Sequence, residues 1–214
     1  ILFRDAFGTQ AMRTVFSDKA LIQRYIDVEV ALAKAEARCG VIPAEAAEVI
    51  ARESVLSRID FDHMREETDI VGYPILPLVH QLVAMCGEAG RYVHWGATTQ
   101  DIMDTAVVLQ VRDALAIVDA DIRALRTILA DLAAKHRDTP MAGRTHLQQA
   151  LPVTFGYKVA IWLAMFDRHQ ERLAQLRPRV EVVEFAGAAG TLASLGDKGL
   201  EVQRALAAEL GLGV

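Results

Sequence analysis

Apolar residues at Leu21, Tyr25, Val28, Leu32 and Ala35 recur at steps of four and three between Ser17 and Gly40. This spacing predicts an amphipathic helix of about twenty residues, with Ser17 as its N-cap and Gly40 just past its end. The stretch before Ser17 reads as a short irregular lead. Pro43 can open a second, shorter helix, Asp60 to Glu67 a third and polar one, and Pro74 to Cys86 a fourth that Gly87 stops. From Asp104 the scale changes. Leu115, Val118, Ile122, Leu125, Leu129 and Leu132 alternate steps of three and four with no breaker before Pro140, so a helix from about 102 to 137 would be roughly 50 Å long. After a turn at 138–151, Phe155, Val159, Trp162, Phe166, His169, Leu173, Leu176 and Val180 repeat the pattern, and Pro178 is expected to kink or end that helix. His169 reads as a packed histidine on this seam. Ala186 to Thr191 is a Gly/Ala-rich connection, and Gly199 to Gly211 reads as a last helix.

The expected fold is therefore all-α. A domain of short helices, 1–103, precedes the first part of a long-helix bundle, 104–214, that this chain leaves incomplete. Helices of this length carrying continuous apolar seams need an extended partner, and a bundle shared between subunits supplies one.

Composition adds few constraints. Of 214 residues, 52% are hydrophobic, 24% charged and only 6% aromatic, an ordinary globular balance that favours helix over sheet. A formal net charge of -5 gives no general attraction to nucleic acid or to an anionic membrane, so an anionic ligand must be held by a local site. Cys39 and Cys86 have no partners at metal-ligand spacing, and neither a zinc site nor a disulfide framework is expected, in keeping with a reducing cytoplasm. Residues 70–87 lack Asp, Glu, Lys and Arg and are long enough to be weighed as a membrane span, but Pro74, Pro77, His80 and Gln81 point instead to a buried helix. No signal peptide is visible, and an opening at Ile1 without Met leads us to expect the natural start upstream.

The candidate chemistry is concentrated in two segments. His94-Trp95-Gly96-Ala97-Thr98-Thr99-Gln100-Asp101 and Gly143-Arg144-Thr145-His146-Leu147-Gln148-Gln149 each gather hydroxyls, an imidazole and side-chain amides on a Gly-marked turn before a long helix. A turn that feeds a helix presents unpaired N–H groups and the positive end of the helix dipole, a setting for a carboxylate or phosphate. Thr98 and Thr99 can donate to one anion, while Thr145, His146 and Gln148 add a hydroxyl, a titratable proton carrier and an amide. A plainer role is open for Asp101 or Thr99, which could simply cap the following helix.

Arg91 to Thr105, Gly143 to Pro152 and Phe185 to Ala193 together resemble signature regions of the fumarase/aspartase superfamily, most closely its 3-carboxy-cis,cis-muconate cycloisomerase branch. The resemblance runs over nearly the whole chain. It implies a homotetramer whose central helices pool into one bundle, with active sites built from three subunits. It also implies cleavage or formation of a C–N or C–O bond beside a carboxylate, through an aci-carboxylate intermediate, without a metal or organic cofactor. By the same resemblance Thr98 and Thr99 bind substrate carboxylate, Thr145 and His146 are the catalytic pair of the second region, and Gln148 supplies its amide. His94 and Asp101 contribute to the pocket. The superfamily's base is a serine on a Gly-Ser-Ser loop in a third signature, and that signature is missing: Ser17, Ser54, Ser57 and Ser194 stand in no such context. The chain is thus expected to be the N-terminal half of a longer protein, inactive alone.

Adenylosuccinate lyase, the close competitor, often carries a His-Asp-Val element where this chain has Thr68-Asp69-Ile70, and an early Ser-Arg-Tyr element that is also missing here. Expelling nitrogen demands a general acid, whereas opening a lactone expels a carboxylate, whose conjugate acid has a pKa near about 4. The expected reaction is therefore interconversion of 3-carboxy-cis,cis-muconate and a carboxymuconolactone in aromatic catabolism. A small polycarboxylate is the expected partner. Adenylosuccinate lyase or another carboxylate lyase is the alternative, and a non-catalytic assembly or binding module is the alternative of another class.

Overall fold

The computed structural model describes residues 5–214, and the start expected upstream of Ile1 lies outside the described residues. Among the described residues the fold is helical apart from one two-stranded hairpin. Its helices are α1 (Gln10–Val15), α2 (Asp18–Arg38), α3 (Ala44–Glu53), α4 (Phe61–Val71), α5 (Ile75–Cys86), α6 (Thr99–Lys135), α7 (Phe155–Val180) and α8 (Gly199–Leu210), with β1 (Pro140–Thr145) and β2 (Gln148–Thr154) between α6 and α7. By contacts the chain forms two compact units. One holds the residues up to Asp113 together with Arg179–Val214, and the other holds Ala114–Pro178. The boundary expected between 103 and 104 falls inside α6, because one helix of 37 residues runs through that point without a break.

In the first unit the short helices stop where their caps require. The Ser17 hydroxyl accepts from the Ala20 N–H at 3.3 Å and starts α2, while Asp60 starts α4 by accepting from Asp62 and His63 at 3.1 and 3.0 Å. Gly72, in the left-handed region at φ 87°, ends α4. The lead before Ser17 is not irregular as expected. Thr9 accepts from the Met12 N–H at 3.2 Å and caps the six-residue α1, a start that sequence periodicity misses because one turn and a half has no period. The core lies where α2 packs on α3 and α8. It is filled by Ile26, Leu32, Ile50, Leu78, Leu82, Ile102, Leu109, Phe185 and Leu206, each at most 1% exposed. The first turns of α6 are sunk in this core. Thr105 donates to the Glu184 carbonyl at 2.8 Å and accepts from the Glu184 N–H at 3.0 Å, tying α6 to the irregular 184–187 segment.

The second unit departs most from the expected picture. The region 138–151 is not a simple turn into a helix but part of an antiparallel hairpin, with Thr145 opposite Gln148 and Arg144 opposite Gln149. His146 and Leu147 form its two-residue tip at φ 47° and 60°, the doubly left-handed backbone of the turn that fits the twist of a hairpin. Asn-Gly usually announces such a turn, and both strands are largely exposed, so neither turn chemistry nor alternation signalled them. Gly143 is required at the bulge, since a Cβ there would lie 2.6 Å from the Leu151 carbonyl oxygen. The two long helices of this unit are tied by Arg126 Nε to Asp167 Oδ1 at 2.6 Å and by Gln170 to Asp119. Yet Leu125, Ile128, Ile161, Trp162 and Met165 remain 40–59% exposed. His169, expected to be packed, is exposed, with its ring edge toward Phe166 at 6.1 Å between centroids. Pro178 sits inside the last turn of α7, which ends two residues later at Val180.

Candidate active site

The first motif is a turn wedged against the start of α6. Gly96 has φ 69°, the left-handed region that favours glycine, and a Cβ on it would also crowd the Leu195 side chain at 2.8 Å. Asp101, in the first turn of α6 and only 3% exposed, accepts three backbone N–H bonds. Its Oδ2 takes Thr98 at 2.9 Å and Gly187 at 3.0 Å, and its Oδ1 takes Ala186 at 2.9 Å. The Thr98 bond is the reach-back half of a capping box. The other two clamp the Ala186–Thr191 motif beside the first, with Gly187 in the left-handed region at φ 74°. With both oxygens occupied, Asp101 organises the turn, the plainer of the two roles open to it. The hydroxyls of Thr98 and Thr99 meet no partner among the described residues. They stand half-buried at the N-terminus of a 37-residue helix, at the positive end of its dipole.

His94 adds an imidazole to this turn. It is held at φ 61°, a strained conformation for a residue with a Cβ, and its Nδ1 lies 2.6 Å from Glu29 Oε1 on α2. Burial alone would lower the imidazole pKa, but the Glu29 hydrogen bond and charge, with Asp101 beyond, outweigh it and raise the value above the ordinary one. The Glu29 side chain is fully buried, and its second oxygen has no partner among the described residues. Two turns along α2, Glu36 is fully buried with both oxygens unpartnered among the described residues, and desolvation first, then the Glu29 charge, push its pKa up to about 9. Glu29 was missed in the sequence because an acidic residue inside an amphipathic helix reads as its solvent face. The signal was there, since Glu29 falls within the run Val28-Glu29-Val30-Ala31-Leu32 on the side that turns inward.

The second motif is placed differently from the first. Thr145, His146 and Gln148 are all exposed at the hairpin tip, separated from α7 by β2. The N–H and dipole argument made for a helix start therefore does not apply to them. They project from the tip as a hydroxyl, an imidazole and an amide within four residues, and Leu147 between them is fully exposed. Thr68 donates to the Met64 carbonyl at 2.7 Å within α4 and carries no titratable group to this region. Of the serines, Ser17 caps α2 and the Ser54 hydroxyl lies 3.8 Å from the Cys86 sulfur, both committed to the fold. Cys39 and Cys86 are buried thiols whose pKa values burial raises, the opposite of an activated nucleophile. No helix among the described residues is long and apolar enough to cross a membrane.

Residues 6–214 match the family model described as lyase. The chain superposes on the crystal structure of fumarate lyase from Mesorhizobium sp. BNC1 with a TM-score of 0.92 and 62% identity, covering 95% of this chain and 48% of that one. It is 48% identical to 3-carboxy-cis,cis-muconate cycloisomerase of Pseudomonas aeruginosa over 99% of its own length and 47% of the relative's. It is 44% identical to adenylosuccinate lyase of Pyrococcus abyssi over 96% of its own length and 46% of the relative's. The chain thus spans about half the length of the curated relatives it matches. Similarity of the same order reaches proteins named for a decarboxylation and for cleavage of a succinyl thioether.

Proposed function

Because the chain belongs to the fumarase/aspartase superfamily, whose members are lyases or isomerases, we propose that it forms part of an enzyme that interconverts 3-carboxy-cis,cis-muconate and a carboxymuconolactone. One observation carries the carboxylate half of this reading. The unpartnered hydroxyls of Thr98 and Thr99 stand at the positive end of α6 beside His94, whose imidazole Glu29 and Asp101 bias toward its protonated form, a preorganised cradle for an oxyanion. Developing negative charge on a substrate carboxylate is what an aci-carboxylate intermediate must have stabilised.

The choice of reaction rests on the leaving group. Departure of a carboxylate needs no proton, so a site with Thr68 where a lyase for succinylated nitrogen carries histidine can still open and close a lactone. Neither step calls for a metal or an organic cofactor. His146 and Thr145 are proposed as the catalytic pair delivered by the hairpin tip, with Gln148 holding substrate, in a site completed by other subunits of a homotetramer. The exposed apolar ridges of α6 and α7 suit burial against such subunits. Asp101 takes the organising role its three N–H bonds define. Adenylosuccinate lyase or another carboxylate lyase is the second reading, favoured by the 44% identity to the archaeal enzyme.

The intact protein, assayed with 3-carboxy-cis,cis-muconate by loss of diene absorbance and separately with adenylosuccinate, decides between them. Turnover of the muconate, lowered at least about tenfold in His146→Asn, which corresponds to about 1.4 kcal/mol of barrier, is the expected outcome. Activity on adenylosuccinate alone would move the assignment to the second reading. A His146→Asn variant as active as wild type would remove His146 from the chemistry, and no turnover of any carboxylate would leave a binding module.

A further inference from the structure

Three costs converge on one ring at the edge of the first motif. His94 is strained at φ 61°. Its partner Glu29 is a fully buried carboxylate, and one oxygen of that carboxylate has no partner among the described residues. Glu36, two turns further along α2, adds a second buried carboxyl to the same helix. Burial of a carboxylate is unfavourable unless a charge compensates it, and the polar contact that Glu29 makes is the 2.6 Å bond to His94 Nδ1.

That bond fixes the ring chemically as well as sterically. An ionised carboxylate can only accept, so Nδ1 carries the proton and Nε2 is the nitrogen left for a ligand. A neutral ring would offer Nε2 as an acceptor, which repels a carboxylate; a protonated ring offers an N–H donor there. The charged groups facing the ring, Glu29 from α2 and Asp101 from α6, are both negative and both favour the protonated form. A positive ring compensates the buried Glu29 carboxylate and at the same time makes Nε2 a donor to an anion.

We propose that Glu29 is a positioning residue, which locks the His94 ring and holds it as a cation so that Nε2–H donates to the substrate carboxylate bound at Thr98 and Thr99. The inference rests on the carboxylate-binding reading of that turn.

The test uses the intact protein and propane-1,2,3-tricarboxylate, an unreactive probe that does not depend on which carboxylate is turned over. Glu29→Gln keeps the size and an acceptor for Nδ1–H but removes the charge. It should weaken binding of the tricarboxylate at neutral pH by about tenfold, as a charge-assisted bond becomes a neutral one. In histidine-labelled protein the His94 resonance, assigned by its loss in His94→Gln, should titrate at a lower pH in Glu29→Gln than in wild type. Binding by Glu29→Gln and by His94→Gln should not be additive in the double variant. Undiminished affinity in a folded Glu29→Gln overturns the proposal. If His94→Gln then loses affinity, the carboxylate reading survives without the positioning role; if it does not, both fall. Should Glu29→Gln fail to fold, the wild-type spectrum decides: a His94 ring that titrates at the ordinary imidazole value, or carries its neutral proton on Nε2, overturns the proposal.

Discussion

Replacing Glu36 with Gln should stabilise the protein, and by an amount that grows with pH. Glu36 lies in the core of the first unit, 0% exposed, with both carboxyl oxygens unpartnered among the described residues, and its pKa stands at about 9 against an ordinary 4.5. Below pH 4.5 the folded and unfolded chains are both protonated there, and the site exerts no pH-dependent effect. Above it the unfolded chain loses the proton while the folded chain keeps it. The folded state therefore binds more protons, and stability falls as pH rises until ionisation in the fold near pH 9. Each pH unit in that window costs about 1.4 kcal/mol. At pH 7 the accumulated penalty is at most about 3.4 kcal/mol, and at pH 5 it is under about 1 kcal/mol. Gln reproduces the size and polarity of the neutral acid but never ionises, so it removes only the ionisation term. Glu36→Gln should thus gain about 1 to 3 kcal/mol at pH 7, or several degrees in the melting temperature of a chain this long, and almost nothing at pH 5. Thermal and urea unfolding of wild type and variant at pH 5, 6, 7 and 8 measure it. A gain independent of pH, or a loss at pH 7, would refute a neutral buried carboxyl at Glu36.

Thr99→Val should weaken binding of a dicarboxylate or tricarboxylate by about tenfold or more, since one donor to a charged acceptor contributes about 1.5 to 3 kcal/mol; loss of affinity only together with a lower melting temperature would make the Thr99 hydroxyl a stabilising group and not a ligand donor. Asp101→Ala strands the N–H groups of Thr98, Ala186 and Gly187 and should cost about 3 kcal/mol. Faster amide exchange at Ala186 and Gly187 would accompany that loss, and unchanged protection there would show the clamp to be incidental. Leu125 and Leu129 changed together to Asp should dissociate the intact protein, because charges would enter every copy of a symmetric interface. Light scattering checks this, and a monodisperse monomer in the unmutated protein would end the shared-site reading.

Local signals were enough for most of the helices. Ser17 as a cap, Gly40 and Gly87 as stops, and the three-and-four spacing of Leu115 to Leu132 are decided within a few residues by backbone hydrogen bonding and by which face is apolar, although α4 runs to Val71, four residues past the expected Glu67. The sequence therefore determined the helical class, most element ends and the turn that carries Thr98 and Thr99. Three things were decided only by tertiary structure. The hairpin at Thr145 to Gln148 depends on a bulge at Gly143 and a left-handed His146-Leu147 tip, and neither has the turn residues or the alternation that would announce it. Asp101 could cap a helix or face a ligand on local grounds, and only the arrival of Ala186 and Gly187, 85 and 86 residues away, fills its oxygens. The apolar run around Glu29 places it toward the inner side of α2, but its partner appears only when the chain returns 65 residues later and sets His94 against it. Periodicity records how a residue relates to its own element. Partnerships across the chain are set by packing, and the chemistry of this turn depends on them.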